Sequence, residues 1–212
     1  MPDSRDRSTI FVADDDEAVL DSLRLLLEGH GYAVVRFATG EALLEALQAP
    51  DAAPHCAVVD VRLPGLSGLE LQQRLHQRNK ELPVIIITGH GDIDMAVRAL
   101  KAGAFDFIEK PFDDSRLLEG IADAMAGTTR QKAATETISA LAESYAGLSE
   151  RQHQVMDMVA DGMANKEIAT RLGISPRTVE IYRAKVMEKM GARNLAELVR
   201  MALALEKDGA TR

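Results

Sequence analysis

Five short apolar runs, separated by segments patterned as helices, constrain this chain more than any other feature. They fall at residues 9–13, 32–37, 56–60, 83–88 and 104–108. Two of them, CAVV and VIII, are apolar at consecutive positions, which is the pattern of strands buried on both faces. Between the first two runs, Val19, Leu20, Leu23, Leu26 and Leu27 recur at helical spacing. Strand–helix alternation repeated in this way builds a parallel sheet covered by helices on both sides. Ser67–Glu70 predicts a capping box at the start of one covering helix. Beyond residue 108 the strand pattern stops, and from about Asp113 the chain reads as helix only.

Charge divides at the same place. Residues 1–126 carry 12 Lys and Arg against 22 Asp and Glu, a net of −10, whereas residues 127–212 carry 13 against 11, a net of +2. At 212 residues the chain has room for two domains, and the asymmetry indicates different partners for each. Residues 127–147 are poor in bulky apolar side chains and read as a linker, with Ile138, Leu141 and Tyr145 spaced along one helical face. No apolar run approaches the roughly 20 residues of a membrane span. The segment MPDSRDRSTIF lacks the apolar core of a secretory signal. The single cysteine, Cys56, excludes a disulfide framework and a Cys-rich zinc site and is expected to pack in the sheet. His30, His55, His76 and His153 show no ligand spacing. A cytoplasmic protein without membrane association is expected.

In an open parallel sheet the chemistry sits at the carboxyl ends of the strands. Those ends deliver Asp14, Asp15 and Asp16 after the first run, Asp60 as the last residue of the third, Thr88 as the last residue of the fourth and Lys110 after the fifth. Gathered carboxylates repel one another unless a cation joins them, and a hard divalent ion such as Mg²⁺ suits oxygen ligands. A carboxylate beside such an ion and a lysine is able to attack a phosphoryl group and hold it as an acyl phosphate. The lysine and metal would neutralise the phosphoryl oxygens while the threonine donates one hydrogen bond. Residue types alone leave two acceptors open. Asp60 fits a phosphorylated regulator, and Asp14 in the Asp14-Asp15-Asp16 run fits a hydrolase of the haloacid-dehalogenase type. Asp16 and Glu17 also suit the start of the next helix.

The segments FVADDDEAV, VVDVRLPGLSG, VIIITGHGD and AFDFIEKPF resemble, in order and spacing, the signature segments of response-regulator receiver domains. The resemblance covers residues 8–126 and implies an α/β flavodoxin-like fold, a five-stranded parallel sheet of order 2-1-3-4-5. It implies that Asp60 accepts phosphate from a sensor histidine kinase. It further implies that Asp14, Asp15, Asp60 and the backbone carbonyl of Arg62 hold Mg²⁺ or Mn²⁺. Thr88 and Lys110 match the phosphate-contacting pair, and Phe107 the aromatic switch that turns inward behind Thr88. Arg62 and His90 match positions that tune the phosphoryl lifetime. Such a domain catalyses its own phosphoryl transfer and dephosphorylation and is not a dedicated enzyme.

Residues 148–207 read as four helices, with Ser149–Gln152, Ser175–Pro176 and Asn194–Glu197 as start signals. The pair 165–172 and 175–190, joined at Gly173, has helix-turn-helix spacing. With Val179, Tyr182, Val186 and Met190 buried, the second helix of the pair offers Arg177, Ile181, Ala184, Lys185 and Glu188 to base edges. Lys166, Arg183 and Lys189 are then placed for phosphates. The segment LSERQHQVMDMVADGMANKEIATRLGISPRTVEIYRAKVMEKMGARN resembles the LuxR-type DNA-binding domain. That resemblance adds Thr178 to the contact set and, with the receiver, identifies a regulator of the FixJ/NarL class. Its expected partners are double-stranded promoter DNA, RNA polymerase and, after phosphorylation, a second copy of the chain. Glu180 departs from relatives that carry a basic residue there, so their base preference does not transfer.

Overall fold

The structure is a computed structural model. It describes residues 8–49, 52–78, 81–89, 93–130 and 134–208, without the side chains of 127–138. Five strands, β1 (Thr9–Ala13), β2 (Ala33–Phe37), β3 (Cys56–Asp60), β4 (Val84–Thr88) and β5 (Asp106–Glu109), pair in parallel in the order β2-β1-β3-β4-β5. The expected sheet and its order are therefore observed. Every residue of β3 and β4 is buried, as their uninterrupted apolar runs require.

Helices α1 (Glu17–Gly29), α2 (Gly40–Ala46), α3 (Gly68–Arg78), α4 (Ile93–Lys101) and α5 (Asp114–Arg130) alternate with the strands. Ile10, Val12, Val58, Ile85 and Ile87 pack against Leu20, Leu23 and Leu27 of α1 and Leu117 and Ile121 of α5. Cys56 belongs to the same core. Asp16 caps α1 by accepting the Ala18 N–H, so its role is that of a helix cap. Ser67 and Glu70 exchange backbone and side-chain hydrogen bonds in the expected capping box.

The helical remainder comprises α6 (Ala134–Ala146), α7 (Glu150–Ala160), α8 (Asn165–Leu172), α9 (Pro176–Met190) and α10 (Leu195–Asp208). Leu141 and Tyr145 of α6 join a core with Val155, Met156 and Val159 of α7, Ile168 of α8, Val179 and Val186 of α9 and Leu205 of α10. Of the linker segment, residues 127–130 end α5 and residues 134–146 form α6, while the Ile138 side chain lies outside the described residues. Ser149 and Gln152 form a capping box on α7. Ser175 caps α9, with Pro176 at its first turn, and Asn194 accepts the Glu197 N–H at the start of α10. Gly173 turns from α8 toward α9 at φ +67°, a left-handed conformation that glycine adopts without strain.

By contact the chain forms two compact units. One holds residues 1–90 and 102–129. The other holds 91–101 with 130–212, so α4 belongs to it. There Val97 and Leu100 of α4 pack against Ala196 and Val199 of α10.

Candidate functional site

Strand register assembles the site. Ala13 pairs with Val59, so the next residues, Asp14 and Asp60, emerge side by side at the carboxyl edge of the sheet. Asp60 pairs with Ile87, which places Thr88 one step further along, and Thr88 pairs with Glu109, which precedes Lys110. The order of the sheet makes the β1–β3 edge a topological switch point, where crossovers diverge and leave a crevice.

Asp14, Asp60 and Thr88 are all buried, at 1%, 6% and 1% exposure. Lys110 Nζ donates to Asp14 Oδ2 at 2.7 Å and to Asp60 Oδ1 at 2.8 Å. The other oxygen of Asp14 accepts the Asp16 N–H at 3.0 Å, and that of Asp60 accepts the Arg62 N–H. Burial pushes the Asp14 carboxyl above the usual carboxylate range, and hydrogen bonds from Lys110 and the Asp16 amide recover only part of that shift. Burial pulls the Lys110 ammonium down, but its bonds to Asp14 and Asp60 and their charges outweigh it, holding the group above the ordinary lysine value. Lys110 is therefore charged at neutral pH and offsets part of the charge of the acid pair.

Among the described residues, no group of three or more His, Cys, Asp or Glu side chains closes into a metal cage. Mg²⁺ does not need one, because it keeps several waters and takes one or two carboxylates. Asp14 and Asp60, with exposed Asp15 next in the chain, supply oxygen donors only, and the donor chemistry fits such an ion.

Gly68 is part of the site in a way that sequence reading missed. Its N–H donates to Val61 O at 2.9 Å, and a Cβ there would meet Asp60 O at 2.0 Å. The Leu-Ser-Gly run signalled a helix start but not this steric demand. Phe107 is half-buried, and its N–H donates to Asp106, which Arg116 of α5 pairs at 2.8 Å. Together with Glu109, Phe112 and Arg116 it lines a cleft of about 510 Å³. His90 lies outside the described residues.

In the helical unit, α9 exposes Arg177, Ile181, Ala184 and Lys185 and buries Val179, Val186 and Met190 as its periodicity predicts, whereas Tyr182, expected in the core, is only half-buried at its edge. Lys166 on α8 is exposed. Thr178 shares the cap, its hydroxyl 2.8 Å from that of Ser175. Two basic residues turn to protein partners. Arg183 donates to Asn165 Oδ1 at 2.7 Å and links α9 to α8, and burial lowers its pKa. Lys189 donates to Gly147 O at 2.9 Å and Gln152 Oε1 at 3.0 Å, which ties α9 to the start of α7.

Residues 10–122 match the response regulator receiver domain, and residues 146–202 match the bacterial regulatory proteins of the luxR family. The chain is 47% identical over 203 residues to the transcriptional regulatory protein FixJ of Azorhizobium caulinodans, covering 96% of this chain and 94% of that protein. It is 43% identical over 195 residues to the C4-dicarboxylate transport transcriptional regulatory protein DctR of Rhodobacter capsulatus, covering 91% and 98%. Full-length FixJ from B. japonicum matches with a TM-score of 0.55 and 44% identity, over 94% of this chain and 98% of that one. The chain therefore belongs to the response regulators that join a receiver domain to a LuxR-type DNA-binding domain. It is a FixJ homologue. Among the described residues, no helix is long and apolar enough to cross a membrane.

Proposed function

We propose that Asp60 accepts a phosphoryl group from the phosphohistidine of a sensor kinase, and that the modified chain dimerises and binds promoter DNA to regulate transcription. The observation that carries this reading is the Lys110 ammonium held between Asp14 and Asp60 at the sheet edge. In the transfer, an Asp60 carboxylate oxygen attacks phosphorus, the P–N bond breaks and the imidazole nitrogen takes its electron pair. Lys110 already touches the attacking carboxylate, so it is in place to donate to a phosphoryl oxygen as charge moves onto it. The Thr88 hydroxyl, on the neighbouring strand, donates a second hydrogen bond to the phosphoryl group. Asp14, Asp15, Asp60 and the main-chain carbonyl of Arg62 are the residues that would hold Mg²⁺ or Mn²⁺. Such a cation, when bound, supplies positive charge against the phosphoryl oxygens.

Drawing Thr88 toward the phosphoryl group leaves space behind it that Phe107 fills by turning inward. The chain thus promotes its own phosphorylation and dephosphorylation as a switch and turns over no separate substrate. The packing of α4 on α10 supports a link to output, because α4 lies within the receiver match and α10 within the LuxR match. The remaining partners in this reading are RNA polymerase at the promoter and a cytoplasmic kinase domain.

Intact mass after incubation with Mg²⁺ and a small acyl phosphate tests the acceptor. One labile phosphoryl group is expected on the wild type and none on Asp60→Asn. An adduct retained by Asp60→Asn would move the acceptor elsewhere. Promoter binding unchanged by Asp60→Asn would sever phosphorylation from output.

A further inference from the structure

The outward face of α9 carries an acid where a DNA-binding surface needs positive charge. Along α9 the basic residues are Arg177, Arg183, Lys185 and Lys189 and the acids are Glu180 and Glu188, of which Glu180 lies in the N-terminal half beside Arg177. Duplex DNA presents one negative charge per roughly 1.7 Å of axis, so a carboxylate brought into its groove is repelled unless it meets a donor. Arg177 Nη1 donates to Glu180 Oε2 at 2.7 Å, with the two side chains 82% and 48% exposed. A pair so exposed adds little to folding. Fold stability therefore does not account for the acid.

The pair does organise the tip of the helix. Val179, between the two residues, is fully buried, so Arg177 and Glu180 project away from the core beside exposed Ile181. The ion pair narrows the rotamers of a long arginine and leaves its other N–H donors free to point outward. Glu180 keeps a second carboxylate oxygen as an acceptor. A fixed donor beside a fixed acceptor matches the major groove, where guanine offers O6 and N7 and cytosine offers its N4 amino group. Three residues of helix rise about 4.5 Å. That lies between one and two base-pair steps of roughly 3.4 Å, so the two side chains reach neighbouring pairs.

We propose that Glu180 is a specificity-determining residue, which accepts a hydrogen bond from the N4 amino group of cytosine while Arg177 donates to guanine in the adjacent pair. This rests on the DNA-binding reading of α9. Discrimination comes largely from rejection. Thymine places the O4 acceptor where cytosine has its amino group, and a carboxylate facing O4 has two acceptors and no proton.

The test is selection from a random duplex library by full-length protein, with and without the acyl phosphate, for wild type, Glu180→Ala and Glu180→Gln. Thermal melting confirms that each variant is folded. Wild type is expected to enrich sites with an invariant cytosine at one position. Glu180→Ala should lose that preference by roughly 5- to 150-fold and leave the other positions intact. Glu180→Gln should shift the same position toward adenine, which presents the N6 donor and N7 acceptor that an amide matches. An identical preferred site for wild type and Glu180→Ala would overturn the proposal, as would a uniform loss at every position. Failure of wild type to enrich any sequence in either state would instead overturn the DNA-binding reading of α9.

Discussion

A Cβ on Gly68 would lie 2.0 Å from the carbonyl oxygen of Asp60, closer than any carbon and oxygen can approach without a bond. The helix that follows β3 thus starts against the backbone of Asp60, the proposed acceptor. The contacted atom is main chain, held in a sheet whose central strands are fully buried, so it has little freedom to yield. Gly68→Ala is therefore expected to destabilise the receiver by about 1–3 kcal/mol, the usual cost of overpacking. It should also slow phosphorylation by shifting Asp60. Urea unfolding and the rate of acyl-phosphate labelling measure the two effects, and unchanged labelling would show that the strand end relaxes freely.

Lys110→Met removes the cation between Asp14 and Asp60 while keeping an unbranched chain of similar length. Phosphoryl uptake should be lost, and the Asp14 carboxyl should rise further, because Lys110 supplies the largest of the effects that lower it. A carboxyl raised on folding binds its proton more tightly in the folded state. It adds stability in acid, and that stability is lost as pH climbs through the folded value. In the variant this loss extends to higher pH than in the wild type. The stability gap between them should therefore widen from acid toward neutral pH, which urea unfolding at a series of pH values reads directly. A constant gap would mean that Asp14 does not feel the lysine.

Cys56 is fully buried in the sheet, and burial pushes its thiol up to about 12. The thiolate, not the thiol, is the nucleophile that attacks an alkylating agent. The native protein at pH 8 should resist iodoacetamide, and protein in denaturing urea should react fully. Mass spectrometry counts the adducts, and rapid modification of native protein would refute the buried placement.

Two lysines expected at phosphates should separate by salt dependence. Lys189 donates to Gly147 and Gln152, so Lys189→Met should cost about 0.5–1.5 kcal/mol of stability and leave the salt slope of DNA binding unchanged. Lys166 is exposed on α8, and Lys166→Met should lower that slope by about one with little change in stability. Binding measured between low and moderate salt, together with thermal melting, distinguishes them. A slope lowered by Lys189→Met would make it a phosphate contact after all.

The sequence was legible wherever the controlling interaction is local or periodic. Consecutive apolar positions in β3 and β4 disclosed strands buried on both sides. Hydrogen bonds that span three residues disclosed the starts of α3, α7, α9 and α10 through Ser67, Ser149, Ser175 and Asn194. The same periodicity gave the buried and exposed faces of α9, and the strand ends supplied Asp14, Asp60, Thr88 and Lys110 as candidates.

Tertiary structure decided which of these side chains meet and what else they touch. Lys110 bridges partners 96 and 50 residues away. Gly68 was visible as a residue, but its need arises from the Asp60 carbonyl across a loop. Lys189 read as a phosphate contact, but folding brings it to Gly147 and Gln152, 42 and 37 residues earlier. The packing of α4 on α10 has no signature in either helix, since each merely carries an apolar face. Caps and periodicity depend on neighbours a turn away and are written along the chain. Steric fit and charge pairing depend on which distant backbones share a volume, and only the folded chain settles that.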